Sequence, residues 1–248
     1  MMNNLLIDIG NSRIKIFTGK QNSGVKSLSS SKYNKIDFQS VFKKIISDIK
    51  SDFDTACVSL TNRKYRVTVK NVLKNFSPHA GILFVGTQTK IPLKLDYANT
   101  LGSDRICSSV GAFLKYGKAN NFLLVIDFGT ATTFNLILNG VYKGGMISAG
   151  AETILTNLSV LTALKGLKLP DNAKQINNNT PDSIKAGAFF QSLYTAVMFI
   201  TEMKKKYPSL YVIATGGLAG VFSKKTNLIN KVDRFLTAEG LNYIIKGI

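Results

Sequence analysis

Two short segments of the sequence share a pattern that suits the binding of nucleotide phosphates. Residues 8–12 read Asp-Ile-Gly-Asn-Ser, and residues 127–133 read Asp-Phe-Gly-Thr-Ala-Thr-Thr. Each follows an apolar run and precedes a second β-rich run, which predicts a hairpin with a tight glycine turn. Backbone N–H groups and hydroxyls at such a turn bind an anion, and the aspartate can hold a cation. Two facing hairpins of this kind would hold one nucleoside triphosphate, which predicts an ATP-using phosphotransferase.

A third segment, residues 102–105 (Gly-Ser-Asp-Arg), opens a predicted helix. Asp104 could accept a proton from a hydroxyl, and Arg105 offers a planar donor fork to a carboxylate or phosphate. Asp104 or Ser103 could instead cap the helix. For the aspartates at 8 and 127, the alternative is a carboxylate that accepts N–H bonds within a tight turn. The duplication of the motif and the pairing of Asp104 with Arg105 favour functional roles.

The composition removes several classes of chemistry. His79 is the one histidine, which argues against histidine catalysis and histidine zinc sites. Cys57 and Cys107 are too few for a disulfide framework or a cysteine zinc site, and their apolar surroundings predict buried free thiols. A general base would therefore be one of the 14 carboxylates.

The net charge of +18 comes mostly from lysine, spread through both halves of the chain. Readers of nucleic-acid bases rely more on arginine and on aromatics beside a basic stripe. The charge pattern therefore favours a solvated surface that attracts anionic metabolites over nucleic-acid binding as the main role. We find no apolar run of about 18 residues and no export signal. These observations predict a cytoplasmic protein that does not associate with membranes.

The elements that must position these segments follow a similar order in the two halves. The first half predicts strands at 3–9, 13–18, 56–60 and 82–85, an extended segment at 91–97, and helices at 36–50, 62–76 and 103–116. The second predicts strands at 122–126, 132–138, 141–148 and 211–214, and helices at 151–166, 181–206, 218–222 and 238–246. Thr180 stands where it could cap the long helix, with Pro181 in its first turn.

Taken in order, these segments resemble type III pantothenate kinases, of the superfamily that includes acetate kinase, sugar kinases, heat-shock chaperones and actin. The resemblance covers nearly the whole chain. It is carried by the segments 8–12 and 127–133, Tyr97 with 102–105, the glycine-rich segment 144–150, Thr180 followed by Gly187, and Thr-Gly-Gly at 215–217. The spacing of Tyr97 to Gly-x-Asp-Arg is the family-specific part.

The resemblance implies an α/β fold made of two similar ribonuclease H-like lobes, the duplicated actin-like ATPase fold, with ATP bound in the cleft between them. The lobes would comprise residues 1–118 and 119–248. The implied reaction is ATP-dependent phosphorylation of pantothenate to 4′-phosphopantothenate, the first step of coenzyme A biosynthesis. Magnesium would accompany ATP, a monovalent cation (potassium or ammonium) would support its binding, and a homodimer would share its active sites.

The resemblance also implies roles for individual residues. Asp104 would be the general base, and Asp127 would be the ligand of the monovalent cation. Pantothenate would contact Tyr97, Gly102, Ser103, Asp104, Arg105 and, across the dimer interface, Thr180. The ATP phosphates would be held by Asp8, Ile9, Gly10, Asn11, Ser12, Arg13, Ile14, Lys15 and Thr130.

Two alternatives keep the fold. One is a related small-molecule kinase or a phosphatase acting on phosphoanhydrides, although the shortness of the chain argues against sugar kinases. The other is a non-catalytic regulator, in one form a DNA-associated relative of the family. The charge of +18 is in its favour, whereas the presence of Asp8, Asp104, Arg105 and Asp127 argues against it.

Overall fold

A computed structural model describes residues 4–19, 24–49 and 52–247, which fold as two compact units. The first unit contains the described residues up to Lys115 together with the segment from Phe235 onward, and the second is Tyr116–Arg234. The expected boundary between residues 118 and 119 lies close to the division after Lys115. The final segment, which that boundary assigns to the second lobe, packs in the first unit instead.

The elements are numbered in chain order. The strands are β1 (Asn4–Ile9), β2 (Arg13–Gly19), β3 (Val25–Lys32), β4 (Thr55–Leu60), β5 (Gly81–Phe84), β6 (Lys94–Leu95), β7 (Phe122–Phe128), β8 (Ala131–Leu138), β9 (Val141–Ala149), β10 (Tyr211–Thr215) and β11 (Lys231–Val232). The α-helices are α1 (Phe38–Ser47), α2 (Arg66–Phe76), α3 (Ser103–Tyr116), α4 (Ala151–Leu161), α5 (Thr180–Lys206), α6 (Ala219–Phe222) and α7 (Leu236–Lys246). Short 3₁₀ turns lie at Arg63–Tyr65 and Ser223–Lys225.

The sheet of the first unit has the strand order β3-β2-β1-β4-β5. β2 is antiparallel to both β1 and β3, while β4 is parallel to both β1 and β5. The central strand β1 is a continuous apolar run because helices cover both faces of the sheet. Leu5, Ile7 and Ile9 join one core with residues of α1 and α2. Asp8, which alternates with them, projects from the opposite face.

The second unit repeats this arrangement, with its strands in the order β11-β10-β7-β8-β9. β8 is antiparallel to β7 and β9, and β10 is parallel to β7 and β11. Its core is rich in aromatic side chains, including Phe128, Phe134, Phe189 and Phe222. The repeated order and directions of the strands confirm the predicted fold of two similar ribonuclease H-like lobes.

Several local predictions were wrong at their boundaries. The helix predicted over 151–166 ends at Leu161, and Ala163 follows with a left-handed φ of 54°. Thr180 is not the cap of α5, because the side chain of Asn179 accepts the N–H of Asp182 at 2.9 Å. The eight-residue strand β3 and the two-residue strand β11 were not predicted. β3 is a serine-rich edge strand, and its composition hides the apolar alternation that marks a strand.

The prediction of buried free thiols is confirmed. Cys57 and Cys107 are free and buried, and the side chain of His79 is exposed. Along the stretches 4–19, 24–49 and 52–247, no helix combines the length and the apolarity that a bilayer span requires.

Candidate active site

The predicted hairpin at residues 8–12 is present in the first unit. β1 ends at Ile9 and β2 begins at Arg13, and the N–H of Gly10 closes the turn by donating to the Arg13 carbonyl at 3.0 Å. Asp8 and Lys15 are partners in the ladder between β1 and β2, and the Lys15 Nζ lies 3.3 Å from Asp8 Oδ2. The hairpin therefore places the Lys15 ammonium and the Asp8 carboxylate beside the short turn at residues 10–12.

The carboxylate of Asp8 is the unusual part of this hairpin. The residue is only 6% exposed, and its Oδ1 has no hydrogen-bond partner among the described residues. A buried oxygen of this kind is costly unless another group binds it. Carboxylate oxygens are the ligands that magnesium prefers, so this oxygen suits Mg²⁺ or a water molecule on it.

The N-terminus of α3 lies at the same end of the sheet. The N–H of Leu60 donates to Ser103 Oγ at 2.8 Å, and the hydroxyls of Ser59 and Ser103 are 3.2 Å apart. Ser59 is the partner of Asp8 in the parallel ladder between β1 and β4. The buried Ser103 hydroxyl thus holds the first turn of α3 against β4, a structural role that the sequence did not indicate.

Asp104 follows in that first turn and is partly buried. Its Oδ1 accepts the N–H of Arg105 at 2.9 Å. Burial and then the negative charge of Asp8 raise the pKa of Asp104, and they outweigh the lowering by the Arg105 N–H and guanidinium. A carboxyl with a raised pKa at this position has the property that a general base needs.

Arg105 and Tyr97 form a cation–π pair. The guanidinium carbon of Arg105 lies 5.4 Å from the centre of the Tyr97 ring. Arg105 is 6% exposed, whereas Tyr97 is 40% exposed. This contact is within the range of a cation–π interaction, which helps to orient the guanidinium and the N–H donors in its plane.

The second unit carries the other aspartate motif. Asp127 is the next-to-last residue of β7, and the Gly129 N–H donates to the Ala131 carbonyl at 3.2 Å. Only residues 129–130 separate β7 from β8, so this turn is one residue shorter than the turn at 10–12. The hairpin is therefore repeated, but with a tighter loop.

The turn of Thr215, Gly216 and Gly217 packs against the carboxylate of Asp127. A Cβ on Gly216 would lie 2.3 Å from Asp127 Oδ1 and 2.6 Å from the Phe128 carbonyl, and its φ is +91°. Glycine is required here on both counts. Within the described ranges no cluster of three His, Cys, Asp or Glu side chains suits a metal ion. The Asp127 carboxylate and the Phe128 carbonyl both lie beside this turn, and oxygen donors of these kinds suit hard cations.

Thr130 and Thr180 are both exposed residues of the second unit. The Thr130 carbonyl accepts the Gly150 N–H at 3.0 Å and the Thr153 hydroxyl at 2.6 Å, which anchors the turn to the start of α4. Thr180 is the first residue of α5. The first unit thus holds residues 8–15, Tyr97 and 102–105, while the second holds Asp127, Thr130 and Thr180.

A sequence model of the family described as "Type III pantothenate kinase" matches residues 4–202. A curated relative of that name from Citrifermentans bemidjiense is 32% identical, over 97% of both chains. Another of that name, from Listeria monocytogenes, is 37% identical over 164 residues, which are 65% of this chain and 62% of the relative.

Two solved structures illustrate the likeness of fold. A Campylobacter jejuni protein described as a Baf family transcriptional activator has a TM-score of 0.60 at 18% identity, over 98% of each chain. A ROK family glucokinase from Streptomyces griseus, solved with glucose and AMPPNP, has a TM-score of 0.55 at 11% identity, also over 98% of each chain. At these identities the likeness shows the fold alone.

Proposed function

Since the chain belongs to the type III pantothenate kinase family and is therefore a kinase, we propose that it transfers the γ-phosphate of ATP to the primary hydroxyl of pantothenate. The product is 4′-phosphopantothenate, and the reaction is the first step of coenzyme A biosynthesis. The main structural support for this proposal is the arrangement of side chains at the start of α3. There Asp104, whose pKa is raised, adjoins Arg105, whose guanidinium lies over the Tyr97 ring.

Phosphoryl transfer depends on positioning and on neutralising charge, because its transition state is loose. The backbone of residues 9–14 and the Lys15 ammonium hold the triphosphate, with the Thr130 hydroxyl as a further contact. Asp8 Oδ1, which has no hydrogen-bond partner among the described residues, would be a ligand of the magnesium that accompanies ATP. When bound, magnesium neutralises charge on the phosphate oxygens.

Pantothenate is an acid with a terminal hydroxyl, and the two ends need different partners. The Arg105 guanidinium binds its carboxylate, while Tyr97 and the backbone of Gly102 and Ser103 line the same end. Asp104 accepts the proton of the hydroxyl as the bond to phosphorus forms. Asp127 holds potassium or ammonium beside the second hairpin, which supports ATP binding.

We further propose that two copies of the chain assemble and that each supplies Thr180 to the pantothenate site of the other. The apolar surface of the second unit supports this. Tyr194 and Met198 are exposed on α5, the helix that Thr180 begins, and Val160 and Leu161 are exposed at the end of α4, which packs on α5. Exposed apolar side chains of this size suit a protein interface. Light scattering of the purified chain tests the assembly, and a monomer at assay concentration would contradict it.

ADP release tests the proposed reaction. The protein is given ATP, Mg²⁺ and K⁺ with and without pantothenate, and the series is repeated with Na⁺ in place of K⁺. We expect release that depends on pantothenate and falls when K⁺ is replaced. Release that is independent of pantothenate would reject the acceptor and direct attention to other small acids and sugars. A rate unchanged by Na⁺ would reject the cation site.

The pH dependence should reflect the environment of Asp104. Protonated Asp104 cannot accept a proton, so activity is lost as the pH falls through its pKa. Because burial and Asp8 raise that pKa, the pH at which kcat/KM for pantothenate falls to half its plateau should lie above the value of about 3.9 typical of an unperturbed aspartate. Rates and unfolding measured together from about pH 4 to pH 8 separate this from acid denaturation. An acid limb at the unperturbed value would contradict the role.

Gly102→Ala should impair turnover without changing a reactive group. A Cβ at this position would lie 2.6 Å from Asp104 Oδ1, so the carboxylate must move. We expect kcat to fall about 10- to 100-fold, since misplacement by about 1 Å can cost that much. The matched control is Gly86→Ala in the same unit, where an added Cβ meets nothing within 4 Å. Equal kcat in both variants would show that the position of Asp104 is not critical.

A further inference from the structure

Tyr33 follows the edge strand β3 and binds the first hairpin at two points. Its backbone N–H donates to the Ser12 carbonyl at 3.1 Å, and its hydroxyl donates to the Gly10 carbonyl at 2.5 Å. Two carbonyls of the three-residue turn at 10–12 therefore bond to one residue. That residue is distant in sequence and only 8% exposed.

The ring of Tyr33 is held by an aromatic cluster, defined here as Tyr33, Phe38 and Tyr65. The Tyr33 ring packs edge-on against Phe38 at 5.0 Å and against Tyr65 at 6.3 Å, and Phe38 stacks on Tyr65 at 3.9 Å between centroids. Burial, then the neighbouring Tyr65 and Asp8, raise the pKa of Tyr33 to about 12. The hydroxyl thus keeps its proton at neutral pH and remains a donor.

The direction of these bonds matters for a phosphate. A trans peptide places its C=O and its N–H on opposite sides. When Tyr33 holds the carbonyls of Gly10 and Ser12, the N–H groups of Asn11 and Arg13 are directed away from Tyr33. A carbonyl that turned towards a phosphate would repel it, whereas an N–H attracts it.

We infer that Tyr33 is a positioning residue, which keeps the turn at 10–12 in the conformation that binds the phosphates of a nucleotide. The inference rests on the proposed function, because that function supplies the phosphate ligand. It also gives the edge strand β3 a function. This strand pairs with β2 as far as Arg13 and Lys32, so the next residue, Tyr33, lies beside the turn.

Tyr33→Phe tests the hydroxyl alone, because it retains the ring and the backbone N–H. We expect Kd for ADP with Mg²⁺, measured by calorimetry, to rise about three- to tenfold, which corresponds to one lost hydrogen bond. KM for ATP should rise similarly, while KM for pantothenate should stay unchanged. If Tyr33 only stabilised the fold, the substitution would not raise KM for ATP while leaving KM for pantothenate unchanged.

Tyr65→Phe is the matched control. It removes the other hydroxyl of the aromatic cluster, which is buried and has no hydrogen-bond partner within the described part of the chain. We expect its nucleotide affinity to equal that of the unaltered protein. Equal affinity in Tyr33→Phe would overturn the inference, as would an equal rise in both KM values.

The two proposals fail in different ways. Nucleotide binding weakened by Tyr33→Phe, without any turnover of pantothenate, would reject the proposed acceptor and support Tyr33. Pantothenate turnover with nucleotide binding unaffected by Tyr33→Phe would reject Tyr33 alone. An unaltered protein that binds no nucleotide would overturn both.

Discussion

Asp104→Asn should lower kcat by about 10²- to 10⁴-fold, the usual contribution of a general base. Asparagine has the shape of aspartate, and its side-chain oxygen can still accept the N–H of Arg105. It cannot accept the substrate proton. The substitution also removes a carboxylate whose ionisation burial and Asp8 disfavour, so the variant should be no less stable than the unaltered protein. Turnover at saturating ATP and pantothenate, with unfolding by denaturant, measures both effects.

The matched control for this variant is Asp54→Asn. Asp54 is exposed in the same unit, and its carboxylate lies 3.9 Å from His79. We expect turnover of this control to equal that of the unaltered protein. Near-normal turnover in Asp104→Asn would remove Asp104 from the role of base. Loss of activity together with loss of folding would assign Asp104 a structural role.

Arg105→Lys should raise KM for pantothenate by about 10- to 100-fold. The substitution keeps the positive charge but loses the flat fork that binds a carboxylate with two hydrogen bonds. It also replaces the guanidinium that lies over the Tyr97 ring with an ammonium that has no planar fork to orient. Charge-assisted hydrogen bonds contribute about 1.5–3 kcal/mol, which sets the size of the effect. Initial rates over a range of pantothenate concentrations at saturating ATP provide the measurement.

Arg66→Lys provides a control of the same chemistry. The guanidinium carbon of Arg66 lies 4.3 Å from the centre of the Phe84 ring, in the same unit but at the start of α2. The control should leave both KM values unchanged, and Arg105→Lys should leave KM for ATP unchanged. If Arg105→Lys keeps a normal KM for pantothenate, Arg105 does not bind the substrate carboxylate.

Much of the fold could be predicted because the central strands have a recognisable local sequence pattern. β1 and β7 are continuous apolar runs followed by Asp-x-Gly, and that sequence is enough to predict a buried strand and a turn. The edge strand β3 could not be predicted, since its serines and lysines are solvated and its pairing with β2 comes from tertiary structure.

The placement of α7 depends on close packing that a sequence pattern does not show. A Cβ on Gly240 would lie 1.9 Å from the Cys107 carbonyl, and one on Gly111 would lie 2.1 Å from the Leu236 carbonyl. These two glycines let α7 approach α3 closely. The helix itself was predicted from its apolar period, but the unit that it joins was not.

The candidate site could likewise be predicted only in part. The motifs identified Asp8, Asp104 and Arg105 as residues that could do chemistry, because each stands at the end of an element. The contacts that support these residues could not be predicted from the sequence. The Ser103 hydroxyl binds β4 and Tyr33 binds the first turn, and in both cases the partners are distant in sequence. Side-chain hydrogen bonds between distant segments follow from the fold and have no local signature.

Pantothenate is the proposed acceptor of the phosphoryl group. The most direct test is to incubate the purified protein with ATP, Mg²⁺, K⁺ and pantothenate and to identify the product by mass spectrometry and phosphorus NMR. We expect one phosphate monoester, on the primary hydroxyl of pantothenate, formed in equal amount to ADP and about 10²- to 10⁴-fold more slowly with Asp104→Asn. ADP formed without phosphorylated pantothenate, or pantothenate recovered unchanged under conditions where ATP binds, would contradict the claim.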